Sequence, residues 1–426
     1  MIIKNKNTIR LFFIFVIMFI YALSLAYPQK INKDLNYVSV QLNEEGLTRK
    51  QITEALENEK LKNHNLPMVT AWNKNMKSDI YSCEVNNIKK YKEKFKKSHA
   101  DVFEVYGNYN DVIPINLIDG SYVSCEDDKS CIIDKKTAYE LFGTVYASDN
   151  NILMDDKVYT VRGVADINLQ FIMYMSQDKK TEFKNLEFKN YDVERGSELV
   201  GDFLVQNNLS DDYVCVENGF YGKLAEKFSY LPGQILALFM IFQSSKLFFG
   251  NFKFKYDTVI YAIIYILFIY LLLKITKFQL YLPSRIIPTK WSDFEFWINK
   301  YKDLKSSVEE ITYLMPTVKN VIVMKYIRKS VVCTILSTIA FEKMIINNRR
   351  IAIWLYADKN HILKKIVLSN SSIIISALII KFIMIHRKFY FDMPVFYWII
   401  LPVFFSFIAF DKFVNEREEK CYNYVI

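Results

Sequence analysis

Glycine and proline are scarce here, at 11 and 9 of 426 residues, and histidine falls to 4. Set against abundant Lys, Asn, Ile, Tyr and Phe, this scarcity reads as nucleotide composition and by itself excludes no function. The missing motifs exclude more. There is no CxxC pair, and His64, His99, His361 and His386 are scattered, so zinc-ligand spacing is absent. There is no G-x-x-x-x-G-K-[ST] loop to cradle phosphates, no G-x-S-x-G elbow and no H-E-x-x-H pair. The acidic pairs Asp127-Asp128 and Asp155-Asp156 lack the spaced oxygen ligands of a calcium loop. No catalytic set, cofactor or metal is therefore expected.

What the chain does have is apolar sequence, unevenly spread. Hydrophobic residues make up 51% and aromatic residues 16%. The mean hydropathy of +0.05 averages a polar region with a greasy one. Leu11–Ala26 is an unbroken apolar run behind Lys4, Lys6 and Arg10, and it ends in small residues at Ser24-Leu25-Ala26. A cleaved signal and an uncleaved anchor both fit this segment, and either one exports the polar region C-terminal to it. The net charge of +9 comes from Lys and Arg flanking the apolar segments, the pattern of the positive-inside rule rather than of nucleic-acid binding.

That polar region spans about 200 residues with mixed periodicities. Tyr37–Leu42 alternates as a strand, and Thr48-Arg-Lys-Gln51 reads as a capping box opening a helix with Ile52, Ala55, Leu56 and Leu61 on one face. Leu66–Trp72 reads as another strand, and Lys89–Lys97 as a basic helical face. Asp134 caps a short helix stopped by Gly143, and Ile152–Met154 with Val158–Val164 flank a hairpin turn. Strands and helices without regular βαβ alternation argue for an α+β domain. Cys125 and Cys131 bracket a turn-rich loop short enough to close with a disulfide, and Cys83 with Cys215 is a second candidate pair. Four reduced thiols are the alternative.

Apolar segments return at Leu231–Phe249, Asp257–Lys274, Ser330–Ile346, Ile366–Ile385 and Pro394–Phe410. Leu231–Phe249 holds Gln234, Gln243, Ser244, Ser245 and Lys246, and fits either a span or a surface helix. If it spans, the basic stretch Lys343–Lys365 falls inside, which favours six spans. The expected order is a cytoplasmic N-terminus 1–10, first span 11–27, extracytoplasmic domain 28–230, transmembrane hairpin 231–277, extracytoplasmic loop 278–329, span 330–346, cytoplasmic segment 347–365, hairpin 366–410 and tail 411–426. The expected fold is thus an α-helical multispan membrane protein of about six spans, with an α+β extracytoplasmic domain inserted after the first. Trp291, Phe294, Phe296 and Trp297 read as an interfacial aromatic belt, and Glu342 and Lys381 as candidate intramembrane charges.

Three stretches in order resemble the MacB-like periplasmic core domain of ABC transporter permeases. Ile115-Asn-Leu-Ile-Asp-Gly-Ser-Tyr-Val-Ser124 resembles that family's strand ending in Leu-x-x-Gly-x-x-hydrophobic. Ala138-Tyr-Glu-Leu-Phe-Gly143 resembles its Ala-x-x-Leu-Phe-Gly helix end, and Val158-Tyr-Thr-Val-Arg-Gly-Val164 its closing strand. Arg349–Ala357 followed by His361–Ile366 is similar to the cytoplasmic coupling segment of FtsX-like permeases, although the usual glutamate is missing and Ala357-Asp358 replaces a glycine-containing turn.

The resemblance implies a non-catalytic permease subunit whose ATPase is a separate chain, touched by Arg349, Arg350, Ile353, Leu355, Tyr356 and Ile362. It further implies export of peptide or lipid-like substrates, with a bilayer and a second permease, identical or related, as partners. A non-transport module that signals to a cell-wall hydrolase or sensor kinase is the alternative, and a membrane-anchored enzyme a more distant one.

Overall fold

A computed structural model describes residues 2–61, 68–83, 96–123, 127, 129–176, 178–189, 195–250, 257–276, 294–299, 301–302, 305, 317–347, 362–387, 389, 404 and 406. The chain divides into two compact units. The α+β unit comprises Leu35–Phe220 and Ser284–Val323, and the helical unit Met1–Asp34, Tyr221–Pro283 and Met324–Ile426.

Helix α1 (Ile2–Asp34) runs past the expected end of the first span at residue 27, with Pro28 inside it. After it the α+β unit opens with β1 (Tyr37–Leu42), β2 (Leu47–Thr48), α2 (Arg49–Leu61), β3 (Met68–Cys83), β4 (Lys97–Tyr106) and α3 (Tyr109–Val112). It continues with β5 (Leu117–Gly120), β6 (Ser130–Asp134), α4 (Lys135–Phe142), β7 (Asn151–Met154), β8 (Lys157–Ala165) and β9 (Phe171–Met175). The last elements are β10 (Glu182–Phe183), β11 (Asn185–Lys189), α5 (Gly196–Gln206) and β12 (Tyr213–Glu217).

Local signals place several of these. The Thr48 N–H donates to Gln51 Oε1 at 2.9 Å and the Gln51 N–H to Thr48 Oγ1 at 3.4 Å, the reciprocal pair of a capping box. Asp155 and Asp156 both take positive φ, 47° and 60°, as the two central residues of a type I′ turn must, and Met154 pairs with Lys157 across it. Of the basic stretch Lys89–Lys97, residues 89–95 lie outside the described residues, and Lys97 opens a strand rather than closing a helix.

The main sheet runs β12-β1-β11-β3-β4-β9-β6-β8-β5, and β7 joins β3 to β8. The pairings β3-β4-β9-β6-β8-β7-β3 therefore close a six-stranded ring. A bulge between Asn75 and Ser78 lets the long β3 serve both parts: its first half pairs with β11 and its last residues with β7. Ile80, Val102, Ile133, Ile152, Val161 and Ile172 form the ring's apolar filling, with Ala138 and Leu141 of α4 packed into the same cluster. The open part of the sheet has its own core, where Val38, Val40, Leu186 and Phe188 meet Ile52 of α2 and Phe203 of α5.

The two motif glycines face each other: Gly120 of β5 is in register with Gly163 of β8. Gly120 has φ of +76°, and a Cβ there would strike the Arg162 carbonyl. Gly120→Ala is therefore expected to lower stability by about 1–2 kcal/mol from the left-handed backbone, plus about 1–3 kcal/mol from overpacking. Denaturant titration of the full-length chain measures it, and an unchanged midpoint contradicts this assignment.

The helical unit contains α1, most of α6 (Asn218–Ser229), α7 (Leu231–Gly250), α8 (Asp257–Ile275), most of α9 (Val318–Ile346) and α10 (Ile362–His386). Its core joins Met18, Tyr21 and Leu25 of α1 with Met240, Phe341 and Ile380. The expected six-span architecture is corrected here. Among the described residues one helix, Phe12–Asp34, is long and apolar enough to cross a membrane, and it lies near the N-terminus. Ala262–Lys274 and Asn370–His386 are apolar but shorter than the roughly 20 residues a bilayer crossing takes. Amides, hydroxyls and a lysine interrupt α7, and Lys325, Arg328, Lys329, Glu342 and Lys343 interrupt α9. Glu342 and Lys381 are both exposed, and Pro394–Phe410 lies outside the described residues apart from Phe404 and Ser406.

Candidate functional site

Two rows of polar side chains cross the open sheet. Ser39 of β1, Glu187 of β11 and Thr70 of β3 stand in register, and Tyr37 stands in register with Lys189. Because side chains alternate across a strand, these residues share one face, while Val38, Val40, Leu186 and Phe188 fill the core on the other. The polar face is closed by the first turn of α9 and by α3.

The central pair is Lys319 and Glu187, whose side chains are 0% and 1% exposed and whose Nζ and Oε2 lie 2.9 Å apart. Lys319 is the only lysine buried to that degree among the described residues. Its ammonium also donates to the Asp111 carbonyl and stands 3.7 Å from the centre of the Tyr37 ring. Glu187 Oε2 accepts from the Ser39 hydroxyl at 2.7 Å. The Asp111 carboxylate accepts from Tyr37 Oη at 2.7 Å and from Thr70 Oγ1 at 2.9 Å, and Lys189 Nζ approaches it to 3.9 Å. Asn218, the first residue of α6, donates to Asn320 Oδ1 at 3.0 Å and to Ser39 Oγ at 3.4 Å. Two carboxylates thus face two ammonium groups, and nearly every polar atom of the node has a partner.

Burial dominates the electrostatics. It pushes the Glu187 carboxyl above its ordinary value and the Lys319 ammonium below its own, each opposed by attraction to the other. Both shifts mean that ionising the pair works against folding: the raised carboxyl loses its contribution as pH climbs through its folded pKa, and the lowered amine as pH falls through its own.

The node's place along the chain is what makes it a candidate site. The chain passes between the units at Asp34/Leu35, Phe220/Tyr221, Pro283/Ser284 and Val323/Met324. Tyr37 and Ser39 follow the first passage, Asn218 precedes the second, and Lys319 and Asn320 precede the fourth. Three of the four passages are therefore tied, inside the α+β unit, to one polar cluster.

The sequence-based candidates fall elsewhere. Arg349, Arg350, Ile353, Leu355 and Tyr356 lie outside the described residues, and Ile362 opens α10 with its side chain outside them. Cys83 and Cys131 are buried free thiols, held protonated as burial pushes both upward, and Cys125 lies outside the described residues. The Cys83–Cys215 pairing is corrected: through Val40 and Leu186, Cys215 stands level with Ala71, at the opposite end of β3 from Cys83, beyond the 7 Å or so a disulfide bridges. Among the described residues, no group of three or more His, Cys, Asp or Glu could hold a metal. Sequence reading missed the node itself. Its one signal is a lysine within the apolar run Val318-Lys-Asn-Val-Ile-Val323.

No family model matches the sequence. No curated protein matches it either. Among solved structures, the chain is similar to the periplasmic region of MacB from Actinobacillus actinomycetemcomitans, at 10% identity and a TM-score of 0.35, over 44% of this chain and 91% of that one. It is also similar to the extracellular domain of the ABC-type transporter YknZ from Gram-positive bacteria, at 15% identity and a TM-score of 0.31, over 42% of this chain and 100% of that one.

Proposed function

We propose that the chain is the permease subunit of an ABC transporter, anchored in the membrane through α1 with its α+β unit outside the cell. A separately encoded ATPase hydrolyses ATP, the α+β unit moves in response, and a peptide or lipid-like substrate is exported. The permease pairs with a second copy or with a related chain, and no step needs a catalytic residue here.

The observation that carries this reading is the node. A mechanical transmitter has to convert movement of one chain segment into movement of a whole domain, and this takes a densely bonded junction where the segments enter. Lys319, Glu187, Asp111 and Asn218 supply one, binding β1, α6 and α9 together close to the passages. The three stretches that resemble the periplasmic core family support it further, since they form β5 and β8, paired in one sheet, and α4, whose Ala138 and Leu141 pack into the ring's core.

Nucleotide dependence in native membranes is the test. The tagged full-length chain, extracted in mild detergent, is expected to bring with it a P-loop ATPase. Trapping that ATPase with vanadate is expected to alter proteolysis of the α+β unit. Purification without an ATP-hydrolysing partner, or cleavage blind to nucleotide, overturns the proposal.

A further inference from the structure

The first turns of α9 make a poor helix by themselves. Val318, Val321, Ile322 and Val323 are β-branched, and such residues lose side-chain freedom in a helix. Lys319 sits at the positive end of the helix dipole, no acid stands in the first turn, and Lys325, Arg328 and Lys329 come next along the helix. One local device helps: Thr317 Oγ1 accepts from the Asn320 N–H at 3.0 Å.

Besides that bond and the local Val321 N–H to Thr317 carbonyl bond at 3.0 Å, the contacts that hold these turns come from other elements. Glu187 of β11 and the Asp111 carbonyl of α3 neutralise or bond the Lys319 ammonium. Asn218 of α6 bonds Asn320. Val318 packs against the cluster of Trp72, Val105, Tyr109 and Val112, and Val323 is fully buried. The first turn carries no acid of its own, and the carboxylate that balances Lys319 is supplied by Glu187, 132 positions away.

We propose that residues 318–323 are a docking-dependent helix, wound when Lys319 occupies the node and unwound when it leaves, so that the node decides where α9 begins. The inference rests on the geometry of the node and not on the transport reading, and it stands or falls without any ATPase.

Hydrogen exchange on the full-length chain in lipid nanodiscs tests it. Glu187→Gln is expected to lower protection of the 318–323 amides on the order of tenfold or more, while the β1 and β11 amides keep theirs. Val321 is 51% exposed on the first turn. Val321→Glu places a carboxylate at the positive end of the helix, and added to Glu187→Gln it is expected to restore part of the lost protection. Unchanged protection in Glu187→Gln, a uniform loss across the whole sheet, or failure of the second substitution to rescue overturns the proposal.

Discussion

Lys319→Met alone is expected to lower the unfolding free energy by about 3–5 kcal/mol, whereas the same change combined with Glu187→Leu is expected to match the parent or exceed it by about 1–4 kcal/mol. The asymmetry comes from burial. Removing the lysine strands a carboxylate that is 1% exposed, and Ser39 alone remains to satisfy the oxygen that had two donors. Removing both charges abolishes two desolvation penalties, and Ser39 keeps its bond from Asn218. The directions of the two titrations agree, since burial works against ionisation of both partners. Denaturant titration of the three variants measures the coupling. If the double variant is as weak as the single one, the node is a net source of stability rather than a junction kept at its expense. On the proposed function, the stable double variant should still have lost nucleotide-dependent movement.

The second large effect belongs to Asp134, which is fully buried where β6 becomes α4. Its carboxylate accepts from the N–H groups of Lys136 at 3.0 Å, Thr137 at 3.3 Å and Phe171 at 3.1 Å, and from the Thr137 hydroxyl. Asp134→Ala removes the N-cap, a loss of about 1 kcal/mol, and strands buried donors at about 1–3 kcal/mol each. A total of about 3–5 kcal/mol is expected, with Asp134→Asn recovering much of it by keeping an acceptor. Because Phe171 opens β9, this one side chain also fixes that strand beside the end of β6. A midpoint shift no larger in Asp134→Ala than in Asp134→Asn would contradict this account.

Signals that act over a few residues are legible in the sequence. The Thr48–Gln51 capping box, the Asp134 cap with its Gly143 stop, and the Asp155-Asp156 hairpin all occur where their spacing predicts them. The closed ring is not legible, because it depends on β3 reaching β7 beyond a bulge and on parallel pairs such as β4 with β9. Nor is the node. Lys319 and Glu187 are separated by 132 positions, and the charges at Lys319, Lys325, Arg328 and Lys329 break the apolar run that would have announced a helix. A helix expected from Ser330 therefore begins at Val318, and the residues that seat it in the α+β unit read as loop. The six-span expectation errs for the opposite reason: apolar residues cluster in these segments, but polar and charged residues interrupt α7 and α9, and the apolar stretches Ala262–Lys274 and Asn370–His386 are short.

The proposed function requires that the α+β unit stand outside the membrane, with α1 as the anchor. Leu61 and Tyr146 are 84% and 69% exposed on that unit, so Leu61→Cys and Tyr146→Cys offer reporters that leave its core intact. Treating intact cells with a membrane-impermeant thiol reagent should label both above the parent chain. Labelling of either position only after permeabilisation would contradict the claim.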